Sequence, residues 1–289
     1  MVLKTIYIVR HGFRSNWVVN PQTGAYSHTF PTPTGIPSDP SLASHGVEQS
    51  HDLATHLTSL NPPIQAIYSS PFYRCLQTLN PTVKSLNSTL PNPLQVRVDP
   101  GIGEFYGLAR FDHPIPASLA VLNTHFPDIL DQSYEGHIRP SVNGESITTL
   151  HDRVAYALDG IVERLDAEGV EAVVLCTHAA VMICAGRALT GRMPVEEGEE
   201  DFRCGTCSFS RFERRGDGEG EVSRGRLEEG EEVPDLRWRG KGIRGGWECT
   251  VNGDCSFLKE GEERTWNFAM EETLVAKQMA PPEVVQPAA

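Results

Sequence analysis

The sequence has no apolar run approaching the roughly 20 residues that a bilayer-spanning helix requires, and its N-terminus passes straight into a strand-like segment rather than a signal peptide. An intracellular protein with no membrane contact is the expectation. It also lacks a surplus of positive charge: 25 Lys and Arg stand against 38 Asp and Glu, a formal net charge of −13. Direct nucleic-acid binding through nonspecific phosphate contacts needs a basic surface and is not expected. Seven cysteines, an odd number without framework spacing, argue against a disulfide scaffold and fit reduced thiols in the cytoplasm or nucleus. Cys204-Gly205-Thr206-Cys207 lacks zinc-ribbon spacing even if Cys249 and Cys255 supply a second half, and alternation along one strand explains the pair as core residues. The histidines other than His11 and His178 have no metal-ligand spacing, and no internal repeat is present.

At 289 residues and 39% hydrophobic composition, the chain can bury one sizeable core. Ile6 to Val9 is a β-branched and aromatic run that reads as a buried strand leading into Arg10-His11-Gly12. Residues 18–44, rich in Pro, Ser, Thr and Gly, predict a loop. Helical spacing through Leu53, Leu57 and Leu60, a short strand at Ile64–Ser69 and a helix opened by Pro71 give β-α-β-α order. A strand at Leu94–Val98 precedes an irregular stretch over 99–145 with a short helix near 117–130, then a long amphipathic helix from Ile147 to about Ala167. Strands at Ala172–Cys176 and Thr206–Phe212 flank a helix over 179–190. Residues 213–232 hold eight acids, four arginines and five glycines and no aromatic, the composition of a solvated insertion reaching to about 235. Strand composition returns at Leu236–Trp238, Gly246–Val251 and Cys255–Leu258, with Asn252-Gly253 as a turn signal. The expectation is one α/β domain over 1–260, a three-layer α/β/α sandwich around a mostly parallel sheet, followed by a tail over 261–289.

Four separated pieces fall at predicted β-to-α transitions: Arg10-His11-Gly12 with Arg14, Ser69-Ser70-Pro71 with Arg74, Gly103-Glu104-Phe105, and Thr177-His178. Ligands of open α/β sheets bind beyond the carboxyl ends of the strands, so these pieces should meet. Guanidiniums stay charged and suit a dianion, and an imidazole among them can attack phosphorus. Glu104 lies in a glycine-rich stretch, where a carboxyl group could approach a leaving group. Glu145, in Gly144-Glu145-Ser146, is the competing acid, and a cap on the helix that follows it is the favoured explanation there. Phe13 and Asn16 are candidate substrate contacts. Phe13, Phe105, Tyr106 and Phe111 either wall the site or pack within the loops at 18–44 and 105–143.

In that order these motifs resemble the histidine phosphatase superfamily, the fold shared by cofactor-dependent phosphoglycerate mutases and many phosphatases, over roughly residues 3–212. The resemblance implies that His11 is the nucleophile, that Arg10, Arg14, Arg74 and His178 hold the phosphoryl oxygens, and that Glu104 donates a proton, with no cofactor or metal. The substrate would be a phosphorylated small molecule or a phosphopeptide. Mutases of this kind carry Glu after Arg-His-Gly; Phe13 and Arg14 are instead similar to the group containing the Sts-type phosphatases and the tau subunit of fungal transcription factor three C. Residues 7–17 and Gly261–Phe268 resemble that subunit. The likeness implies a second role, a subunit of the RNA polymerase III transcription factor assembly with a weak or vestigial site, docking through residues 236–270 or the acidic segment.

Overall fold

The computed structural model describes residues 2–194, 200–216 and 225–268. In chain order the elements are β1 (Thr5–Arg10), β2 (Trp17–Val19), β3 (Tyr26–His28), α1 (Ser44–Thr58), β4 (Ala66–Ser69), α2 (Tyr73–Asn87), β5 (Val96–Val98), α3 (Leu119–His125), α4 (Ile147–Glu168), β6 (Ala172–Thr177), α5 (Ala179–Thr190), β7 (Phe209–Arg214) and β8 (Trp247–Asp254). Six strands form one sheet in the order β5-β4-β6-β1-β7-β8. The first four run parallel, β7 pairs antiparallel with β1, and β8 pairs antiparallel with β7.

Alternation along the strands divides the core into two layers. Ile6 and Ile8 face α4 and α5, together with Val173 and Leu175. Tyr7 and Val9 face α1 and α2 with Val174 and Cys176. The result is the expected α/β/α sandwich. Ser146 caps α4 by accepting from the Thr149 amide at 3.1 Å, and Gly169 ends that helix at φ 77°. Because β1, β4 and β6 are parallel neighbours, Arg10, Ser69 and Thr177 finish at the same edge of the sheet.

Several local expectations change. The loop at 18–44 contains the β2–β3 hairpin, whose ring pair Trp17 and Tyr26 holds it together at 5.4 Å. Asn252-Gly253 is no hairpin turn: β8 continues through it with a shift of register against β7, Gly253 at φ 63° donating to Ser210 Oγ at 2.9 Å. Residues 236–238 are irregular and 255–258 form a turn, so neither is a strand. Strand β7 runs two residues into the expected insertion, residues 217–224 of which lie outside the described residues, and Leu227 returns to donate to the His137 carbonyl at 2.8 Å. Residues 261–268 are not a tail: Thr206 N donates to the Glu263 carbonyl at 3.0 Å, and Phe268 is 9% exposed within the core. The remainder of the expected tail, 269–289, lies outside the described residues.

Candidate active site

The turn after β1 is fastened from three directions. The amide of His11 donates to the Thr177 carbonyl at 3.0 Å, that of Gly12 to Thr78 Oγ1 at 3.0 Å, and that of Phe13 to Gln49 Oε1 at 2.9 Å. Gly46, in the first turn of α1, lies directly beneath, and a Cβ there would run into the Phe13 carbonyl oxygen. His11 is 2% exposed. Its Nδ1 lies 2.8 Å from the Gly12 carbonyl, which can only accept, so Nδ1 carries the proton and Nε2 keeps its lone pair. Burial, then the charges of Arg74, His178, Arg10 and Arg14, hold this imidazole well below its ordinary pKa. His11 is therefore neutral at neutral pH.

Three guanidiniums surround it. Arg10 Nη1 donates to the carbonyls of Cys204 and Arg264, both at 2.6 Å. Arg74, fully buried, gives Nη1 to the Ser38 carbonyl at 3.1 Å and Nη2 to Glu104 Oε2 at 2.9 Å, while Asp39 Oδ1 lies 3.4 Å away. The Nε atoms of both Arg10 and Arg74 are buried without a partner among the described residues. Arg14 is half-buried, with its guanidinium 5.6 Å from the Trp17 ring; burial, then Arg74, push it down to about 10, and it stays charged at neutrality.

His178 immediately precedes α5, its ring 5.2 Å from that of His11. Its Nε2 is 2.7 Å from Ser70 Oγ and its Nδ1 3.2 Å from Glu104 Oε2. Burial opposes the charged form, but Cys75 and Glu104 outweigh it and raise the pKa. The same pairing acts on Glu104: burial favours the neutral acid, but His178 and Arg74 hold the carboxyl well below its usual range. The structure thus brings together Arg10, His11, Arg14, Arg74, Glu104 and His178. It does not bring Glu145, which is ion-paired to Arg153; nor does Glu145 cap α4, a part taken by Ser146.

His11, Glu104 and His178 present ligand-type atoms within 4.8 Å of one another, enough to reach one ion. The three arginines compete with any cation there, and Arg74 already holds Glu104 Oε2. An anion fits this field, and a phosphoryl dianion would find donors on several sides.

Around the rim, Phe13 meets the His45 ring edge-on at 5.5 Å, and Asn16 is exposed with Oδ1 accepting from Arg264 Nη1 at 3.3 Å. Phe105 packs into the α4–α5 core, so it is not part of a wall; Tyr106 stacks on His113 at 4.7 Å and Phe111 packs on the same ring at 5.3 Å. A cavity of about 480 Å³ adjoins Glu104, bounded by Phe72, Tyr106, His113 and Pro116. Ser70, Thr78, Gln49 and Asp39 are supporting residues to which the sequence reading assigns no role. Ser70 sat within a marked motif, and Thr78 follows Arg74 by one helical turn. Gln49 and Asp39 gave no sequence signal.

Residues 6–225 match the model of the histidine phosphatase superfamily, branch 1. The chain is 37% identical over 275 residues to the transcription factor tau 55 kDa subunit of Saccharomyces cerevisiae, a match taking 93% of this chain and 59% of that protein, so it spans less than two thirds of its relative. Among solved structures, the ecdysone phosphate phosphatase of Bombix mori superposes with a TM-score of 0.54 at 18% identity, over 78% of this chain and 97% of that one. A phosphoglycerate mutase from Bacillus anthracis superposes at 0.50 and 17% identity, over 90% and 97%. With the sheet order, the Arg-His-Gly turn and the family match in agreement, the chain belongs to the histidine phosphatase superfamily, branch 1.

Proposed function

We propose that the protein is a metal-independent phosphomonoesterase acting through a phosphohistidine on His11. The observation that carries this reading is a neutral imidazole with a free Nε2 facing an anion site of three guanidiniums and His178. Nε2 attacks phosphorus while the ester oxygen departs with a proton from Glu104. Arg10, Arg14, Arg74 and cationic His178 stabilise the charge on the three equatorial oxygens. Glu104 then takes a proton from water as that water attacks the phosphohistidine, releasing inorganic phosphate and restoring the imidazole. In the free protein Glu104 is ionised because Arg74 and His178 face it. An incoming dianion competes for both cations, so Glu104 gains proton affinity when a substrate arrives.

Release of phosphate from p-nitrophenyl phosphate, with an acidic optimum, tests the proposal; a His11→Ala protein retaining full activity would refute it. A mutase role requires phosphate exchange between positions of phosphoglycerate, and its absence would exclude that role.

A second reading is a subunit of a polymerase III transcription factor assembly, with intracellular and nuclear placement, favoured by the yeast relative's being a transcription factor subunit. Its proposed surface at 236–270 has its aromatic side chains turned inward: Trp238 and Trp247 are fully buried. A partner there would meet the exposed Arg237, Arg239, Lys241 and Glu248. Co-purification with those transcription factors would support this role, and a monomeric particle in cell extract would count against it.

A further inference from the structure

Residues 261–268 lie against the turn that follows β1, and their acids are already engaged. Glu262 pairs with Arg203, while Glu263 meets His45 Nε2 at 2.6 Å and accepts from Gln49 Nε2 at 3.0 Å. Arg264, which follows them, has no carboxylate partner among the described residues. Its guanidinium lies 3.6 Å over the Phe13 ring, and Nη1 donates to the Arg14 carbonyl at 3.2 Å and Asn16 Oδ1 at 3.3 Å. Stacking and two hydrogen bonds fix the plane of the group, leaving Nε and Nη2 unengaged on an exposed residue. The backbone carbonyl of the same residue holds Arg10 Nη1 at 2.6 Å.

Two further observations show that this placement is not incidental. Arg264 adopts φ 48°, the left-handed region, where glycine would sit without strain. Its charge also reaches the phosphoryl site, being among those that push Arg10 and Arg14 down. A residue held in a strained conformation, stacked, unpaired and adjacent to two phosphoryl-binding arginines is built to meet an anion from outside.

We propose that Arg264 forms a second-anion subsite, so that the preferred ligands are phosphomonoesters carrying an additional carboxylate or phosphate beside the phosphoryl group. This rests on the phosphatase reading of the same site. The anion could belong to an acidic phosphopeptide or to a small bis-anionic ester; both would place the second charge at the Phe13–Asn16 edge.

The test uses the full chain carrying His11→Ala, which binds without turnover. Labelled phosphotyrosyl peptides with glutamates or alanines flanking the phosphotyrosine are titrated by fluorescence anisotropy, and phenyl phosphate and 4-carboxyphenyl phosphate compete against them. The glutamate peptide should bind about tenfold tighter than the alanine peptide, the gain of one charge-assisted contact. That ratio should fall to about one in His11→Ala/Arg264→Gly, which keeps the backbone carbonyl for Arg10 and relieves the strain, and Arg264→Lys should restore part of it. A matching preference for the carboxylated aryl ester would assign the subsite to small ligands, and a preference confined to peptides would assign it to polypeptides. Equal affinities within both pairs, absence of binding by every phosphorylated probe, or a preference surviving Arg264→Gly would overturn the proposal. Failure of wild-type protein to release phosphate, with the binding preference intact, would refute the phosphatase reading alone.

Discussion

Arg153→Met probes how the fold holds Glu104 in place. Arg153 is 1% exposed and grips Glu145 with Nε, 2.9 Å from Oε2, and with Nη2 on Oε1. Its Nη1 donates to the carbonyls of Gly101 at 2.8 Å and Gly103 at 3.3 Å, the residues leading into Glu104. Methionine fills similar volume but leaves Glu145, 8% exposed, without a cation, and leaves two carbonyls without a donor. Breaking a buried pair from one side costs ~3–5 kcal/mol, because the remaining charge is stranded in a poor solvent. Glu145 has some access to water, so about 4 kcal/mol is expected; for a domain of this size that lowers Tm by roughly 8–16 °C.

The assay is a thermal melt at pH 7 followed by near-ultraviolet circular dichroism, with Arg153→Met/Glu145→Met alongside. Replacing both partners strands no charge, so the double variant should recover at least half of the lost stability. A single variant losing less than about 3 °C would refute the reasoning, since it would show that the pair carries no such cost. A double variant as unstable as the single would show that packing and the Gly101 and Gly103 carbonyls matter more than the stranded carboxylate. The single variant should also release phosphate more slowly, because the stretch presenting Glu104 loses its tether.

Gly46→Ala places a methyl group against the Phe13 carbonyl, a backbone atom with nowhere to go; a loss of ~1–3 kcal/mol in urea unfolding and a drop in phosphate release should accompany it. Acidification should destabilise the protein through His151, whose Nδ1 donates to the Ile147 carbonyl and whose Nε2 accepts from Arg187, so Nε2 cannot take a proton without losing that partner. Burial is the main cause that lowers it to about 4, so the unfolded chain binds more protons than the native one below pH 6.5, and stability falls by about 2 kcal/mol by pH 5; His151→Gln should remove that part of the pH dependence in urea melts at the two pH values. Glu104→Gln should lower kcat by ~10²–10⁴ with an alkyl phosphate and by much less with p-nitrophenyl phosphate, whose leaving group needs little protonation; equal losses on both substrates would count against proton donation.

What sequence could show follows from where each signal is local. The β1 run, the α4 periodicity and the Arg-His-Gly turn are written in neighbouring residues, so their element types were readable and their ends were off by a few residues. Parallel strand order then implied that Arg10, Ser69 and Thr177 would share an edge, and they do. Glu145 was separable from Glu104 only by its partner, Arg153, which lies eight residues along and faces inward through tertiary packing. Asn252-Gly253 has turn composition, but pairing with β7 overrides it with a bulge. The segment Gly261–Phe268 falls in the expected tail despite its apolar Trp266 and Phe268, because what attaches it to the domain is long-range: the carbonyl of Arg264 reaches Arg10 across 254 positions of sequence. No periodicity encodes such a contact.

The charge balance at the site explains why so buried an assembly is tolerable. Arg74 and His178 are cations in a region of low polarity, and by themselves they would strongly disfavour burial. Asp39 and Glu104 neutralise them at 3.4 and 2.9 Å from Arg74, with Glu104 also 3.2 Å from His178. Asp39 is fixed by donation from the Tyr73 amide at 2.9 Å and from Thr34 at 3.0 Å. Glu104 has a backbone donor only on its other oxygen, the Phe105 amide at 3.1 Å. One carboxylate is therefore committed to the fold, while the other could yield its two cations to an arriving anion. A phosphoryl dianion brings two negative charges where Glu104 supplies one, so neither Arg74 nor His178 is stranded, and Arg10 and Arg14 stand beside them to meet the additional charge. Under the proposed mechanism the displaced carboxylate would then regain proton affinity, as a proton donor to the departing oxygen requires.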